Sequence, residues 1–334
     1  MYLKHYNLKS KPFELTLNPD FIWFGEKHKE AYSVLRYGVL ENKGLLLLTG
    51  DVGMGKTTLI SALVRDLPDD IIYTTISDPD VAELDFYRYL CHGFSIDTSF
   101  TTKAEFLLLF RSFLNESQAN GKRVLLIIDE AQRMGLKLME DVRLLSNIEK
   151  NGSKLINVFF VGQTEFLDAL ERPKVRALKQ RISLSYTIEP LALNETYKYI
   201  ASRLKSGGAQ ANFFTKAAIE EIHAYSGGSP RMINVLCDMA MVVGYSKGVT
   251  RLEKQTVRDG ARQLPGLKVP VKKRNKFENK VVQAAPQRKA ECLVEQDILD
   301  PSTVTKRSGS LLLIACIALT LLFAVGMSLL KLEG

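Results

Sequence analysis

Cysteine, histidine and tryptophan are scarce in this chain of 334 residues, which holds four, four and one of them. Cys91, Cys237, Cys292 and Cys316 show neither CxxC nor metal-ligand spacing, which excludes a disulfide scaffold and a zinc module and points to reduced thiols. His5, His28, His92 and His223 are scattered, so no metal site is read from them. A one-sided charge is also missing from most of the chain. Residues 1–264 carry 34 Lys+Arg against 31 Asp+Glu, which gives no electrostatic reason to expect a nucleic acid partner. An apolar share of 46% and a charged share of 25% exclude a wholly disordered or collagen-like chain. The length suits two domains, or one large domain with appendages.

The basic excess is local. Residues 265–309 hold 10 Lys+Arg against 5 Asp+Glu and few large apolar residues. From the end of this segment, residues 308–330 (SGSLLLIACIALTLLFAVGMSLL) run for 23 residues without a charge. About 20 such residues cross a bilayer core as a helix, so one transmembrane helix is expected there. The cluster Lys272, Lys273, Arg274, Lys276, Lys280, Arg288, Lys289, Lys306 and Arg307 precedes it, and only the tail 331–334 follows. The positive-inside rule then predicts a single-pass protein with its long N-terminal part in the cytoplasm and its C-terminus outside. Residues 265–307 read as a basic flexible linker, which can also lie on an anionic membrane surface.

Chemistry is concentrated at two apolar runs. Leu45–Leu48 fits a buried parallel strand and ends in Gly50-Asp51-Val52-Gly53-Met54-Gly55-Lys56-Thr57, which meets G-x-x-x-x-G-K-[ST] at every fixed position. Glycine lets the loop backbone wrap closely enough for its N–H groups to cradle phosphate oxygens. Lys56 would place a positive charge on the β- and γ-phosphates, and Thr57 would offer its hydroxyl to Mg²⁺. A helix predicted over Thr58–Asp66 would aim its N-terminus at the phosphates. The cofactors implied are ATP and Mg²⁺. The second run, Val124–Ile128, leads into Asp129-Glu130. An acidic pair at the C-terminal edge of a buried strand is where an α/β sheet puts its site. Asp129 would hold the Mg²⁺ through water, and Glu130 would act as general base on the attacking water. The interval from Gly55 to Asp129 leaves room for two strands and two helices. A third run, Leu155–Val161, is another buried strand, and Gln163 after it is the candidate to face the γ-phosphate if this strand lies between the other two. Thr164 is its substitute, and a plain turn is the alternative reading.

Further motifs narrow the family: Met1-Tyr2, Lys11-Pro12-Phe13, Pro19-Asp20, Phe24, His28-Lys-Glu-Ala31, Tyr37-Gly38, Ile128-Asp-Glu-Ala-Gln132, Val161-Gly-Gln-Thr164, Leu178-Lys-Gln-Arg-Ile182 and Gly227-Gly-Ser-Pro-Arg-Met-Ile-Asn234. Over residues 1–264 the chain resembles the AAA+ ATPases. More narrowly, it resembles the ExeA/general secretion pathway protein A family, which includes MshM-type pilus-biogenesis ATPases and those of exosortase gene clusters. The resemblance implies a P-loop AAA+ α/β fold, a doubly wound parallel sheet with a small α-helical lid. It implies that Arg181 reaches the γ-phosphate of a neighbouring subunit, with Arg176 in reserve, and that Arg231 reaches it from the lid. Ser229-Pro230 also reads as a helix start, with Ser as N-cap and Pro at N1. Many relatives continue past the span into a periplasmic peptidoglycan-binding domain. None follows the span here, so that activity is not carried over.

The expected organisation is a core domain at 1–190 with an N-terminal extension at 1–40, and a lid at 191–264 with helices near 194–205, 215–226, 230–246 and 252–264. The linker 265–307, the span 308–330 and the tail 331–334 follow. Phe21, Trp23, Phe24 and Tyr37 either wall an adenine pocket or pack in the core. The leading functional reading is a bacterial inner-membrane AAA+ ATPase that drives assembly or export by an envelope machine of the type II secretion, pilus or exopolysaccharide kind. An in-trans arginine implies a homo-oligomer, a ring when ATP is bound, and the span implies a membrane partner protein. The alternatives are a DNA-handling ATPase of the transposition-helper type, which predicts a basic face and no span, and an ATP-binding switch or scaffold without turnover. A helicase is ranked lowest, because the lid is too small to be a second α/β domain.

Overall fold

The structure is a computed structural model that describes residues 1–16, 21–96 and 99–267, all within the unit Met1–Lys272. The linker from 268 onward, the expected span at 308–330 and the tail lie outside the described residues. Among the described residues no helix is long and apolar enough to cross a membrane.

Five strands form one parallel sheet: β1 (Leu45–Thr49), β2 (Ile71–Ile76), β3 (Arg123–Ile128), β6 (Ile156–Gly162) and β7 (Ile182–Thr187), in the order β2-β3-β6-β1-β7. Between β3 and β6, β4 (Glu149–Lys150) and β5 (Ser153–Lys154) make a small hairpin. Its turn residues Asn151 and Gly152 both have positive φ, 53° and 75°, the pairing that suits a tight two-residue turn. The helices before the lid are α1 (Tyr2–His5), α2 (Glu26–Leu40), α3 (Lys56–Arg65), α4 (Glu83–Gly93), α5 (Lys103–Ala119), α6 (Leu136–Leu145), α7 (Glu165–Leu170) and α8 (Arg176–Lys179).

The central strands are unbroken apolar runs for a simple reason. Side chains alternate between sheet faces, and helices cover both. Leu45, Leu47, Leu126, Ile128, Val158 and Phe160 face the cluster that takes in Phe86, Phe106, Phe110 and Val142 from α4, α5 and α6. Leu46, Leu48, Leu125, Ile127, Phe159 and Val161 face the opposite cluster, with Ala31 and Leu35 of α2 and Leu59 and Leu63 of α3. The third predicted strand does lie between β1 and β3. The interval before Asp129 differs from expectation: it holds β2 and β3 but three helices, α3 to α5. The predicted Thr58–Asp66 helix starts earlier, so Lys56 and Thr57 sit in its first turn.

The lid consists of α9 (Leu193–Ser206), α10 (Lys216–Ser226), α11 (Pro230–Ser246) and α12 (Lys254–Ala261), close to the four helices expected. The N-terminal extension divides differently from the expectation that all of 1–40 belongs to the core. Of this extension, α2 and Phe24 just before it pack on the sheet. Tyr2, Tyr6 and Phe13 are buried with Ile233, Leu236 and Met241 in the lid cluster. The Tyr2 hydroxyl donates to Asp238, and that of Tyr6 donates to the Met241 carbonyl at 3.0 Å. Amphipathic aromatics seated in an apolar lid, each with its hydroxyl satisfied, account for the placement.

Candidate functional site

The loop Gly50–Gly55 leaves β1 at the carboxyl edge of the sheet, where open α/β folds place ligands. Gly53 and Gly55 have φ of 80° and 91°, a region unfavourable to residues with a Cβ. The Lys56 ammonium is buried and donates to the carbonyls of Gly50 at 2.7 Å and Asp51 at 3.1 Å. Burial pushes its pKa down, against the pull of Glu130, Asp129 and Asp51. Val52 and Thr57 are exposed at the mouth, Met54 is buried, and Thr58 is half-buried on α3.

Asp129 and Glu130 follow β3 on the same edge. The Asp129 carboxyl is pushed up by burial, opposed by the Glu130 N–H at 2.9 Å and by Lys56. The Thr57 hydroxyl lies 3.5 Å from Asp129 Oδ2. A hydroxyl and a carboxylate are the hard oxygen donors that suit Mg²⁺, an ion that takes one or two protein ligands and the rest from phosphate and water. Glu130 has a φ of 51°, unusual for a residue with a side chain. The turn sends its carboxylate to the amides of Gln132 and, at 3.4 Å, Gln163. Thr164 instead donates to Asp51 at 2.8 Å, which ties the end of β6 to the phosphate loop.

The lid closes on the same loop. The backbone N–H of Arg231 donates to the Gly53 carbonyl at 3.2 Å, and the Ser229 hydroxyl lies 3.5 Å from that carbonyl. Ser229 and Pro230 take the predicted N-cap and N1 places of α11, but the Ser229 side chain makes no capping bond, being turned to the loop. Beside them opens a cavity of about 420 Å³, a size usual for small-ligand pockets. Its walls include the phosphate loop, Glu130, Gln163, Arg231 and three of the expected aromatics, Phe21, Trp23 and Phe24. Tyr37 is not among them. It is half exposed, with the Lys43 ammonium 5.1 Å above its ring. His28, to which the sequence assigns no role of its own, is buried against the loop. Its Nε2 lies 2.9 Å from the Met54 carbonyl, so Nε2 is the protonated nitrogen, and desolvation lowers its pKa.

Arg203 gave no sequence signal and proves to be a wall of the cavity. The residue is only 7% exposed, and its guanidinium donates to the carbonyls of Pro12 at 2.6 Å, Glu14 at 2.7 Å and Phe21 at 3.3 Å, and stands 4.8 Å over the Phe21 ring. Arg181 is the site residue that the structure keeps apart. It is exposed, bonded to Asn147, and immediately precedes Ile182, which pairs with Leu45 at the start of β1. Its own phosphate loop is at the other end of that strand. Arg176, on α8, is exposed too.

This sheet, loop and lid have counterparts. The AAA domain family matches residues 39–170. General secretion pathway protein A of Aeromonas hydrophila is 33% identical over 269 residues, 80% of this chain and 49% of that protein. The chain is an AAA domain protein. An uncharacterized HTH-type transcriptional regulator of Methanocaldococcus jannaschii is 27% identical over 45% of the chain and 37% of its own length. The chain thus spans about half the length, or less, of these curated relatives. Among solved structures, the ORC2 protein of Aeropyrum pernix superposes with a TM-score of 0.59 at 18% identity, covering 77% of this chain and 72% of that one. Cdc6p of Pyrobaculum aerophilum gives 0.59 at 16%, covering 75% and 70%. At such identities the likeness is one of fold.

Proposed function

We propose that this AAA domain protein binds Mg²⁺·ATP in the cavity between sheet and lid and hydrolyses it. The observation that carries the reading is the convergence of Lys56, Thr57, Asp129, Glu130 and Gln163 on one sheet edge, with the Arg231 backbone bonded to the phosphate loop beside them. Loop N–H groups and Lys56 hold the β- and γ-phosphates; Thr57 and Asp129 take the ion. A bound Mg²⁺ neutralises charge on the phosphate oxygens. Glu130 accepts the proton of the attacking water, and Gln163 and Arg231 contact the γ-phosphate.

Arg181 cannot serve its own phosphate loop from the opposite end of β1, so its role requires a second copy. The active form in this reading is a homo-oligomer, a ring when ATP is bound. Likeness to general secretion pathway protein A, together with the uncharged run at 308–330, supports a motor held at a bacterial inner membrane, with its ATPase part cytoplasmic. There it would serve a secretion, pilus or polysaccharide machine through a membrane partner, with the basic linker on anionic lipid. No nucleic acid partner is proposed.

A mixing experiment tests the shared site. Lys56→Ala and Arg181→Ala chains are each inactive alone in this reading. Mixed, they form interfaces that join an intact loop to an intact arginine, and hydrolysis returns. Failure of every mixture to exceed the two single variants refutes the in-trans assignment.

A further inference from the structure

Gln132 is absent from the roles assigned above, yet it lies at the centre of the Glu130 environment. Its side-chain oxygen accepts the backbone N–H of Gln163 at 2.9 Å. A backbone N–H can only donate, so this bond fixes which end of the amide is which. The NH₂ end is therefore turned to Glu130, where it donates to Oε2. Packing supports the placement: a Cβ on Gly162 would meet Gln132 Oε1 at 3.0 Å, so glycine at the end of β6 leaves room for this amide. The Gln163 amide reaches the same Oε2 at 3.4 Å. Two donors thus hold one carboxylate oxygen and leave Oε1 for the water.

We propose that Gln132 is a positioning residue: its amide holds the Glu130 carboxylate in place and ties it to the backbone of Gln163 at the end of β6. Gln163 is the group proposed to contact the γ-phosphate, so a shift of its backbone would reach Glu130 through one side chain. The kinetic consequence rests on the ATPase reading; the contact itself does not.

Two substitutions separate the halves of the amide. Gln132→Glu keeps an oxygen for the Gln163 N–H but sets a second carboxylate against Glu130. Gln132→Met keeps the volume and removes both bonds. The full chain in lipid is used throughout. Both variants are expected to lower kcat by about tenfold or more, since misplacing a catalytic group costs up to roughly a hundredfold. KM for ATP should stay within about twofold, because ground-state binding is untouched. Gln132→Glu at wild-type kcat overturns the proposal and leaves Gln132 a purely structural acceptor. A second readout needs no turnover. In a Glu130→Gln background, the carboxylate introduced at position 132 can accept from the amide introduced at position 130, so the bond is restored with its direction reversed. Gln132→Glu should then lower Tm by about 3 °C in the otherwise wild-type chain and by less than about 1 °C in the Glu130→Gln chain. Equal shifts in both backgrounds overturn the proposal. If the wild-type chain never hydrolyses ATP, the ATPase reading fails and this cycle alone decides the contact.

Discussion

Replacing Arg203 with methionine should loosen the N-terminal segment from the lid and open the cavity wall. The guanidinium holds three backbone carbonyls, and no carboxylate stands within ion-pair reach of it among the described residues. Its hydrogen bonds are the main compensation for burying the charge. Methionine retains the apolar stem but leaves the carbonyls of Pro12, Glu14 and Phe21 without these donors. Bonds to charged groups contribute about 1.5–3 kcal/mol each, and breaking a buried charged network costs about 3–5 kcal/mol in total, since such terms do not add. At about 2–4 °C per kcal/mol for a unit of this size, Tm should fall by roughly 6–20 °C. Arg203→Lys keeps the charge but not the planar fork, and should recover less than half of the loss. Thermal melts of the full chain with and without ATP read both effects. Because Phe21 and Trp23 line the cavity, the upward shift in Tm on adding ATP should shrink as well. A change below about 1 kcal/mol in Arg203→Met, with the ATP shift intact, refutes the clamp.

Three further outcomes are expected. Gly228 has a φ of 83°, and a Cβ there would lie 2.2 Å from the Leu191 carbonyl oxygen, so Gly228→Ala should cost about 2 kcal/mol or more in a denaturant titration. Lys56→Met removes the buried ammonium from the phosphate loop and should weaken ATP binding by about 3 kcal/mol, roughly a hundredfold in Kd by fluorescence titration. Burial lowers the pKa of both His28 and His223, so between the folded and unfolded values the unfolded chain binds more protons. Their contribution is present above an unfolded pKa of about 6.5 and is lost as pH falls below it, so denaturation midpoints should drop from about pH 7 to about pH 5.5, less so in His28→Gln. A His28→Gln chain with the full wild-type slope would count against it.

Which parts of this protein were legible from sequence depends on how each residue is buried. β1, β3 and β6 are covered on both faces, so they read as plain apolar runs, and the motif at the end of each run hints at their order in the sheet. The edge strands were harder. Ile71–Ile76 mixes buried and exposed positions, and Ile182–Thr187 exposes every second residue, so neither forms a continuous run. In the lid, Thr215 and Gly227 bound α10 and Pro230 opens α11, signals that stand in the sequence itself. The phosphate loop and acidic pair act through fixed short spacing, which sequence displays directly. Arg203 and Gln132 act across long or bent paths: Arg203 reaches carbonyls some 190 residues away, and Gln132 reaches Glu130 only because that residue turns to positive φ. Nothing in local spacing announces either contact. Tyr2 and Tyr6 bond into the lid across more than 220 residues of sequence, a partnership that local spacing does not display.

The claim most in need of trial is that the convergence of Lys56, Asp129 and Glu130 makes this chain an ATPase rather than an ATP-binding scaffold. Steady-state phosphate release by the full-length chain in lipid, set beside Glu130→Gln at matched ATP occupancy, addresses it directly. The account predicts that both chains bind ATP alike. It also predicts that the wild type releases phosphate at least about a hundredfold faster, as loss of a general base implies. Wild type that binds ATP yet never exceeds the Glu130→Gln rate at any protein concentration, with or without lipid, would contradict it.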